Sequence, residues 1–385
     1  MRLLLLLAVL LSFCATNLRA QQVDTLTLPG RWSVEKANAW YDAQPWLVGA
    51  NYLPRTAINQ LEMWQGETWD PTTIRQELGW AADIGMNTMR VYLHDLVWRD
   101  DKAGLYERMD AFLEICQSLG IRPAFVFFDD CHEPEAKSGP QPLPVPGFHN
   151  SGWVTSPGVV VVDRFAEGSE TDADRERLRG YIQETLQRYG QDERVLLWEL
   201  YNEPGCDNFY DSSNKLLYAA WQWARAAAPS QPLVSTSLGS RGVMNEATSR
   251  NNSDVHSIHT YSDNRYIFSS VNKYRADGRP VIVSEWLART YNSNVFENLP
   301  LLKALNVGAI NWGLVAGKSG TVFGWHSRNR FGTRMWPNQL RARGEVTTDW
   351  ESEPLPEVFF HDLFYPDGRP YDEAEIKMFR QLTGR

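Results

Sequence analysis

The chain predicts an α/β fold, a single (β/α)8 TIM barrel with a long loop after the third strand and a C-terminal helix packed on the barrel. Three observations carry this. Eight short apolar runs of strand length alternate with helical patterns over roughly 270 residues, the count for a closed parallel barrel. No Gly-rich phosphate turn follows the first run, which disfavours the open doubly wound sheet. The 385 residues, 43% hydrophobic and 22% charged, suffice for one large core without a second domain.

Taken in order, Met1-Arg2, an apolar Leu3 to Leu11 and a polar stretch to Ala20 read as a signal peptide cleaved after Ala20, implying export to the periplasm or medium. The run is short for a membrane span, and no later stretch is long and apolar enough. Leu11-Ser12-Phe13-Cys14 is a weak lipoprotein box with a bulky Phe13, so a lipid anchor at Cys14 is a minor alternative. Gln21 to Gln44 shows no clear period. Trp46 to Tyr52 is the first strand. A loop with Asn59, Glu62, Trp64 and Trp69 precedes a helix that Asp70-Pro71 starts, with Ile74, Leu78 and Ala81 on one face and an end at Gly85. Met86 to Leu93 is the second strand, Leu105 to Leu119 a helix, and Ile121 to Phe128 the third strand.

The Pro- and Gly-rich segment Pro134 to Thr171 reads as a long loop, and its His149, Asn150 and Trp153 favour a cleft wall over a linker. Asp172 to Tyr189 is an amphipathic helix and Val195 to Glu203 the fourth strand. Then come a helix (Asp211 to Ala228), the fifth strand (Leu233 to Ser237), a short helical turn, the sixth strand (Asp254 to Tyr261), a helix (Arg265 to Ala276), the seventh strand (Val281 to Trp286), a helix (Val295 to Leu305) and the eighth strand (Val307 to Trp312). Pro354 to Phe364, a turn at Pro366-Asp367-Gly368 and a helix from about Tyr371 to Leu382 form a tail too short for a second domain.

A net charge of −9 argues against nucleic acid or an anionic membrane surface as partner. Sixteen Trp suit a packed core and stacking on sugar faces alike. Beyond Ala20 the cysteines are Cys116, Cys131 and Cys206, which allow at most one internal disulfide and leave a thiol over.

In a parallel barrel the strand C-termini share the face that carries the chemistry. Here those ends supply Arg90, Asp129, Asn202 with Glu203, His259 with Tyr261, Glu285 and Trp312. Glu203 and Glu285 each end a clean apolar strand, on strands four and seven of eight. A facing pair of carboxylates is what glycosidic bond cleavage needs: one donates a proton to the leaving oxygen, the other attacks or activates water. Their separation, about 5–5.5 Å for retention or about 6.5–9.5 Å for inversion, decides the stereochemistry.

These residues resemble the retaining clan A glycoside hydrolases, in particular the family 5-like cellulases, mannanases and xylanases. Trp198-Glu199-Leu200-Tyr201-Asn202-Glu203-Pro204 is similar to their fourth-strand Asn-Glu-Pro motif, and Val281 to Trp286 to their seventh strand. His259-Thr260-Tyr261 resembles their sixth-strand pair, Asn87-Thr88-Met89-Arg90 their second-strand arginine motif, and Trp312 their eighth-strand tryptophan. The resemblance spans about residues 45 to 330, in register, and makes residues 21–385 one glycoside hydrolase domain behind the signal peptide. It implies hydrolysis of a plant-type β-glycan (xylan, mannan or glucan) by a two-glutamate double displacement. Glu203 would be the acid/base, Glu285 the nucleophile and Asn202 the contact to the sugar 2-hydroxyl. Tyr261 would donate to Glu285 and keep it ionised, Arg90 would add positive charge nearby, His259 would sit beside Glu203 and help set its protonation, and Trp312 would stack on the sugar. An exo-acting β-glycosidase on oligosaccharides and a non-catalytic carbohydrate-binding barrel are the alternatives. No cofactor and no metal are expected. Where family 5 enzymes often end the third strand in His, this chain reads Asp129-Asp130-Cys131-His132-Glu133, and either Asp129 or His132 takes that place, implying a different subsite.

Several polar residues have bland readings. Glu199 shares the strand parity of Glu203 and reads as an ion-paired structural group inside the barrel. The Asp129 to Glu133 cluster reads as a solvated or sugar-binding loop rather than a metal site, since no second His supplies a ligand set. His94 and His256 read as satisfied barrel residues. Trp64, Trp153 and Trp325 are platforms or packing. Lys318 and His326 are substrate contacts or plain surface.

Overall fold

A computed structural model describes residues 27–329, 337–344 and 353–385. The segment expected to be a signal peptide, with Cys14, lies outside the described residues, as do residues 330–336 of the loop after the last strand. Eight strands run parallel: β1 (Val48–Asn51), β2 (Thr88–Tyr92), β3 (Arg122–Asp129), β4 (Leu197–Asn202), β5 (Leu233–Thr236), β6 (His256–His259), β7 (Val281–Glu285) and β8 (Gly308–Trp312). They pair in the order β5-β4-β3-β2-β1-β8-β7-β6, a nearly closed (β/α)8 barrel. Both faces of nearly every strand residue are buried, which is why the strands read as apolar runs without alternation.

The seam between β5 and β6 is closed mainly by side chains. Thr236 Oγ1 donates to Ser257 Oγ at 2.6 Å, Leu233 N donates to Asp254 Oδ2 at 2.8 Å, and Asp254 N donates to Leu233 O at 2.9 Å.

The helices pack around this barrel. Before β1, α1 (Val34–Asp42) occupies a lead-in that shows no period, because only Ala37 and Tyr41 bury. In the loop after β1, Asn59 caps a single turn, α2 (Gln60–Trp64). Helix α3 (Pro71–Asp83) starts at Asp70 with Pro in its first turn and buries Ile74, Leu78 and Ala81, as the pattern predicts. Helix α4 (Asp95–Ser118) begins ten residues before the predicted Leu105. His94 caps it, and a kink at Asp101 breaks the period there.

The segment after β3 is not all loop. It contains α5 (Val159–Glu167), whose four consecutive valines mask a helical face of Val162 and Phe165. A capping box at Thr171 and Asp174 opens α6 (Asp172–Tyr189). Then follow α7 (Asn214–Ala227), α8 (Val243–Asn252, longer than the predicted turn), α9 (Asn264–Arg275), α10 (Val295–Ala304), α11 (Pro337–Ala342) and α12 (Glu373–Thr383).

The tail is bound to the catalytic face. Ala316 N donates to Phe364 O at 2.9 Å and Leu363 N to Leu314 O at 3.0 Å. Arg289, in the loop after β7, donates to Phe359 O at 2.8 Å and forks onto Glu375 of α12 at 2.9 and 2.6 Å. Trp64 is wholly buried, its Nε1 donating to Tyr92 O at 2.8 Å and its ring stacked on Trp69, so it is packing rather than a platform.

Candidate active site

Strand register sets the layer. Asn51 of β1 lies beside Arg90 of β2 and Trp312 of β8; Asp129 of β3 lies beside Asn202 of β4; His259 of β6 lies beside Glu285 of β7. Beyond Asn202 the chain turns sharply. Glu203 adopts φ +42° and Gly205 φ +91°. The first is a left-handed conformation that costs a non-glycine residue about 1–3 kcal/mol, met by the contacts around it. A Cβ on Gly205 would fall 2.5 Å from the carbonyl oxygens of Arg241 and Tyr210. The turn is clamped by Asp130, which accepts from Tyr201 Oη and from Gly205 N, each at 2.7 Å, and from Ser213. Sequence reading assigned Asp130 no such part, since the clamp joins residues over 70 positions apart.

Arg90 is the electrostatic hub beneath the cavity. It is 1% exposed. Its Nε and Nη2 fork onto Glu199 at 2.7 and 2.8 Å, Nη2 also reaches Asn202 Oδ1 at 2.7 Å, and Nη1 reaches Asn51 Oδ1 at 2.7 Å and Glu285 Oε1 at 2.8 Å. All five guanidinium protons are thereby engaged within the protein, so Arg90 sits behind the site and offers no donor to a ligand. Glu199 is the ion-paired interior group that its strand parity indicates. Asn51 and Tyr92, whose hydroxyl donates to Glu285 Oε1 at 3.1 Å, join this network without a local motif that marks them.

Above the hub sits a trio. His259 Nδ1 lies 2.6 Å from Glu203 Oε1 and 3.3 Å from Glu285 Oε2, and Tyr261 Oη donates to Glu285 Oε2 at 2.7 Å. One carboxylate oxygen of each glutamate and the His259 nitrogen all lie within 4.8 Å of one another. Burial pushes the Glu203 carboxyl up, but the contact with His259 and its charge outweigh burial and hold it below the usual range. At Glu285 burial prevails over the charges of His259 and Arg90 and raises the carboxyl, while the Tyr261 bond pulls it back. Arg90 bonds to Glu285 Oε1, and its charge favours the ionised form of that carboxyl.

The sign for a Tyr261→Phe variant follows. Without that hydroxyl Glu285 holds its proton to higher pH, so the acidic limb of a kcat/KM profile moves upward. A titration of kcat/KM against pH checks this; an acidic limb that stays put or moves down rules it out.

A cavity of about 350 Å³ opens over the trio, lined among others by Asp129, Asn202, Glu203, Tyr261, Glu285 and Trp312. Asp129 ends β3 and lines the cavity. It accepts from Asn202 Nδ2 at 2.8 Å and from Trp153 Nε1 at 2.6 Å, and burial raises it to about 7 against those bonds. His132 lies on the outer wall, within 3.1 Å of Asn150. The segment after β3 thus brings Trp153 and Asn150 to the cavity, and Trp153 packs edge-on against Trp312 and Tyr92. Trp325 meets the Tyr261 ring edge-on at 5.0 Å and lines the cavity with His361 of the tail.

Other candidates fall elsewhere. Lys318 is paired with Glu62 at 2.7 Å, and His326 borders a separate hollow beside 353–360. His94 lies 3.1 Å from Thr155 O and His256 lies 3.0 Å from Asp277, so both are satisfied barrel groups. Among the described residues two groups are close enough to share a cation: Glu203, His259 and Glu285, and Cys131, Glu203 and Cys206.

A parallel barrel with paired glutamates and aromatic rings at its C-terminal mouth defines a glycoside hydrolase acting on β-glycans. The chain belongs to glycosyl hydrolase family 5, the cellulase family, whose profile it matches over residues 56–318. Comparison with curated proteins returns no match. Among similar solved structures is a GH5_18 protein from Streptomyces cattleya in complex with Manβ1-4GlcNAc, at 13% identity over 87% of this chain and 80% of that one, with a TM-score of 0.57. The exo-β-1,4-mannosidase Op5Man5 from Opitutaceae bacterium strain TAV5 is 16% identical over 88% of this chain and 60% of that one, with a TM-score of 0.56. The hyperthermostable endo-1,4-β-D-mannanase from Thermotoga petrophila RKU-1 is 13% identical over 88% and 99%, with a TM-score of 0.50. At these identities the likeness is one of fold.

Proposed function

We propose that the enzyme cleaves β-glycosidic bonds with retention of configuration, through a glycosyl-enzyme intermediate on Glu285. The observation that carries this is the closeness of the two carboxylates: oxygens of Glu203 and Glu285 lie within 4.8 Å. That spacing supports direct attack, which goes with carboxyl groups about 5–5.5 Å apart, and leaves little room for the water an inverting pair holds between them.

In the first step Glu285 attacks the anomeric carbon as Glu203 gives its proton to the departing oxygen. In the second Glu203 takes a proton from water, which displaces Glu285. Arg90 and Tyr261 hold the negative charge on Glu285 before attack. Asn202, pinned between Arg90 and Asp129, presents its amide to the sugar 2-hydroxyl, and Trp312 stacks on the ring. Residues 1–20 would serve export, placing the enzyme where polymeric glycans are.

The linkage proposed first is β-1,4-mannosidic, since mannosyl groups figure in the similar structures named above. The test is the anomer first released, followed by proton NMR during hydrolysis of aryl β-mannosides and β-glucosides. Release of the β-anomer is expected; an α-anomer formed first overturns the assignment. Mannan, xylan and glucan run beside the aryl glycosides separate endo from exo action.

A further inference from the structure

Two thiols flank the acid/base carboxylate, and the hydrolytic steps use neither. Cys131 follows β3 and Cys206 follows the Glu203 turn. Cys131 Sγ donates to Glu203 Oε2 at 3.4 Å, and Asn202 Nδ2 lies 3.7 Å from the same sulfur. Cys131 Sγ, Cys206 Sγ and a Glu203 oxygen all lie within 4.8 Å of one another. Both cysteines are free thiols, buried to 8% and 7% exposure, and both line the cavity, so an ion reaches them without opening the fold.

A zinc ion bound to two sulfurs at about 2.3 Å in tetrahedral geometry holds them roughly 3.8 Å apart, within the spacing found here. Asp129 and Asp207 line the same cavity. Cys131 is held well above the usual thiol range by its contact with Cys206 and by burial. At Cys206 the Cys131 contact is outweighed by burial and the Glu203 charge, which push it to about 12. A bound dication must displace both thiol protons.

We propose that Cys131, Cys206 and Glu203 form an inhibitory site for a thiophilic divalent cation of the zinc class, with water as fourth ligand. Binding converts two thiols and one carboxylate into ligands and releases two protons, so affinity rises with pH. The binding claim stands on this geometry. The inhibition rests on Glu203 acting as acid/base, since a ligated carboxylate cannot hold the leaving group's proton.

The test uses the full-length protein with Cd²⁺ as optical probe and Zn²⁺ for inhibition. One Cd²⁺ per chain, with an ultraviolet sulfur-to-metal band of two thiolates, is expected. The band is lost in Cys131→Ser and in Cys206→Ser and kept in Cys116→Ser. Glu203→Gln keeps it with at least tenfold weaker binding. X-ray absorption of the zinc-loaded wild type, which needs no variant to fold, is expected to show two sulfurs at about 2.3 Å. A zinc shell of nitrogen and oxygen only, as His259 and Glu285 would give, or a band indifferent to Cys206→Ser, overturns the site. Two-sulfur binding with undiminished hydrolysis overturns the inhibitory claim and, with it, the acid/base role of Glu203.

Discussion

Replacing Glu203 with Ala lowers kcat/KM on a glycan by roughly 10²- to 10⁴-fold, the usual worth of a positioned general acid/base. The loss is smaller on aryl glycosides whose phenolate leaves unaided. There, azide restores turnover, because a small anion fits the space of the missing carboxylate and attacks the glycosyl-enzyme without base assistance. The product is the β-glycosyl azide. In Glu285→Ala the azide occupies the opposite face and gives the α-glycosyl azide. NMR of the two products therefore assigns each glutamate its role. Undiminished hydrolysis by Glu203→Ala, or the same anomer from both variants, sinks the assignment.

Arg90→Met costs about 3–5 kcal/mol of folding stability, because it leaves Glu199 buried without its counter-charge. Arg90 and Glu199 are each 1% exposed, so solvent cannot screen the orphan. The partner experiment is Arg90→Met with Glu199→Leu, which removes the buried charge as well and recovers much of the loss. Urea unfolding of the four proteins in the cycle measures the coupling. A single-variant loss below about 1 kcal/mol would show that water or a proton compensates Glu199, against the burial described.

The barrel was legible because a parallel sheet covered on both faces writes each strand as an unbroken apolar run, ending where the site begins. Leu197 to Glu203 and Val281 to Glu285 announce their terminal carboxylates this way, and seven of the eight strands fall within the expected segments, β3 running one residue further to Asp129. What escaped notice depends on contacts between distant segments. Asp130 looks like half of an acidic pair until Tyr201, Ser213 and Gly205 close on it. Asn51 and Tyr92 carry no motif; they matter because strand register lays them against one guanidinium. The juxtaposition of Cys131 and Cys206 likewise needs two strand ends side by side. Local disguise hid the remainder: a kink at Asp101 interrupts the period of α4, and the valines of α5 look like strand. Lys318 looked free in sequence because its counter-ion, Glu62, lies 256 positions away.

The tail segment 359–364 has a consequence for when the enzyme becomes competent. Glu203, Glu285, Arg90 and Trp312 have all been synthesised once the ribosome has passed Trp312. The strap that ties Phe359 to Arg289 and Phe364 to the exit of β8, and that carries His361 to the cavity, is made some fifty residues later. A nascent barrel would thus possess its paired glutamates while one wall of the mouth is still missing, and that wall would be added only after the strap has emerged.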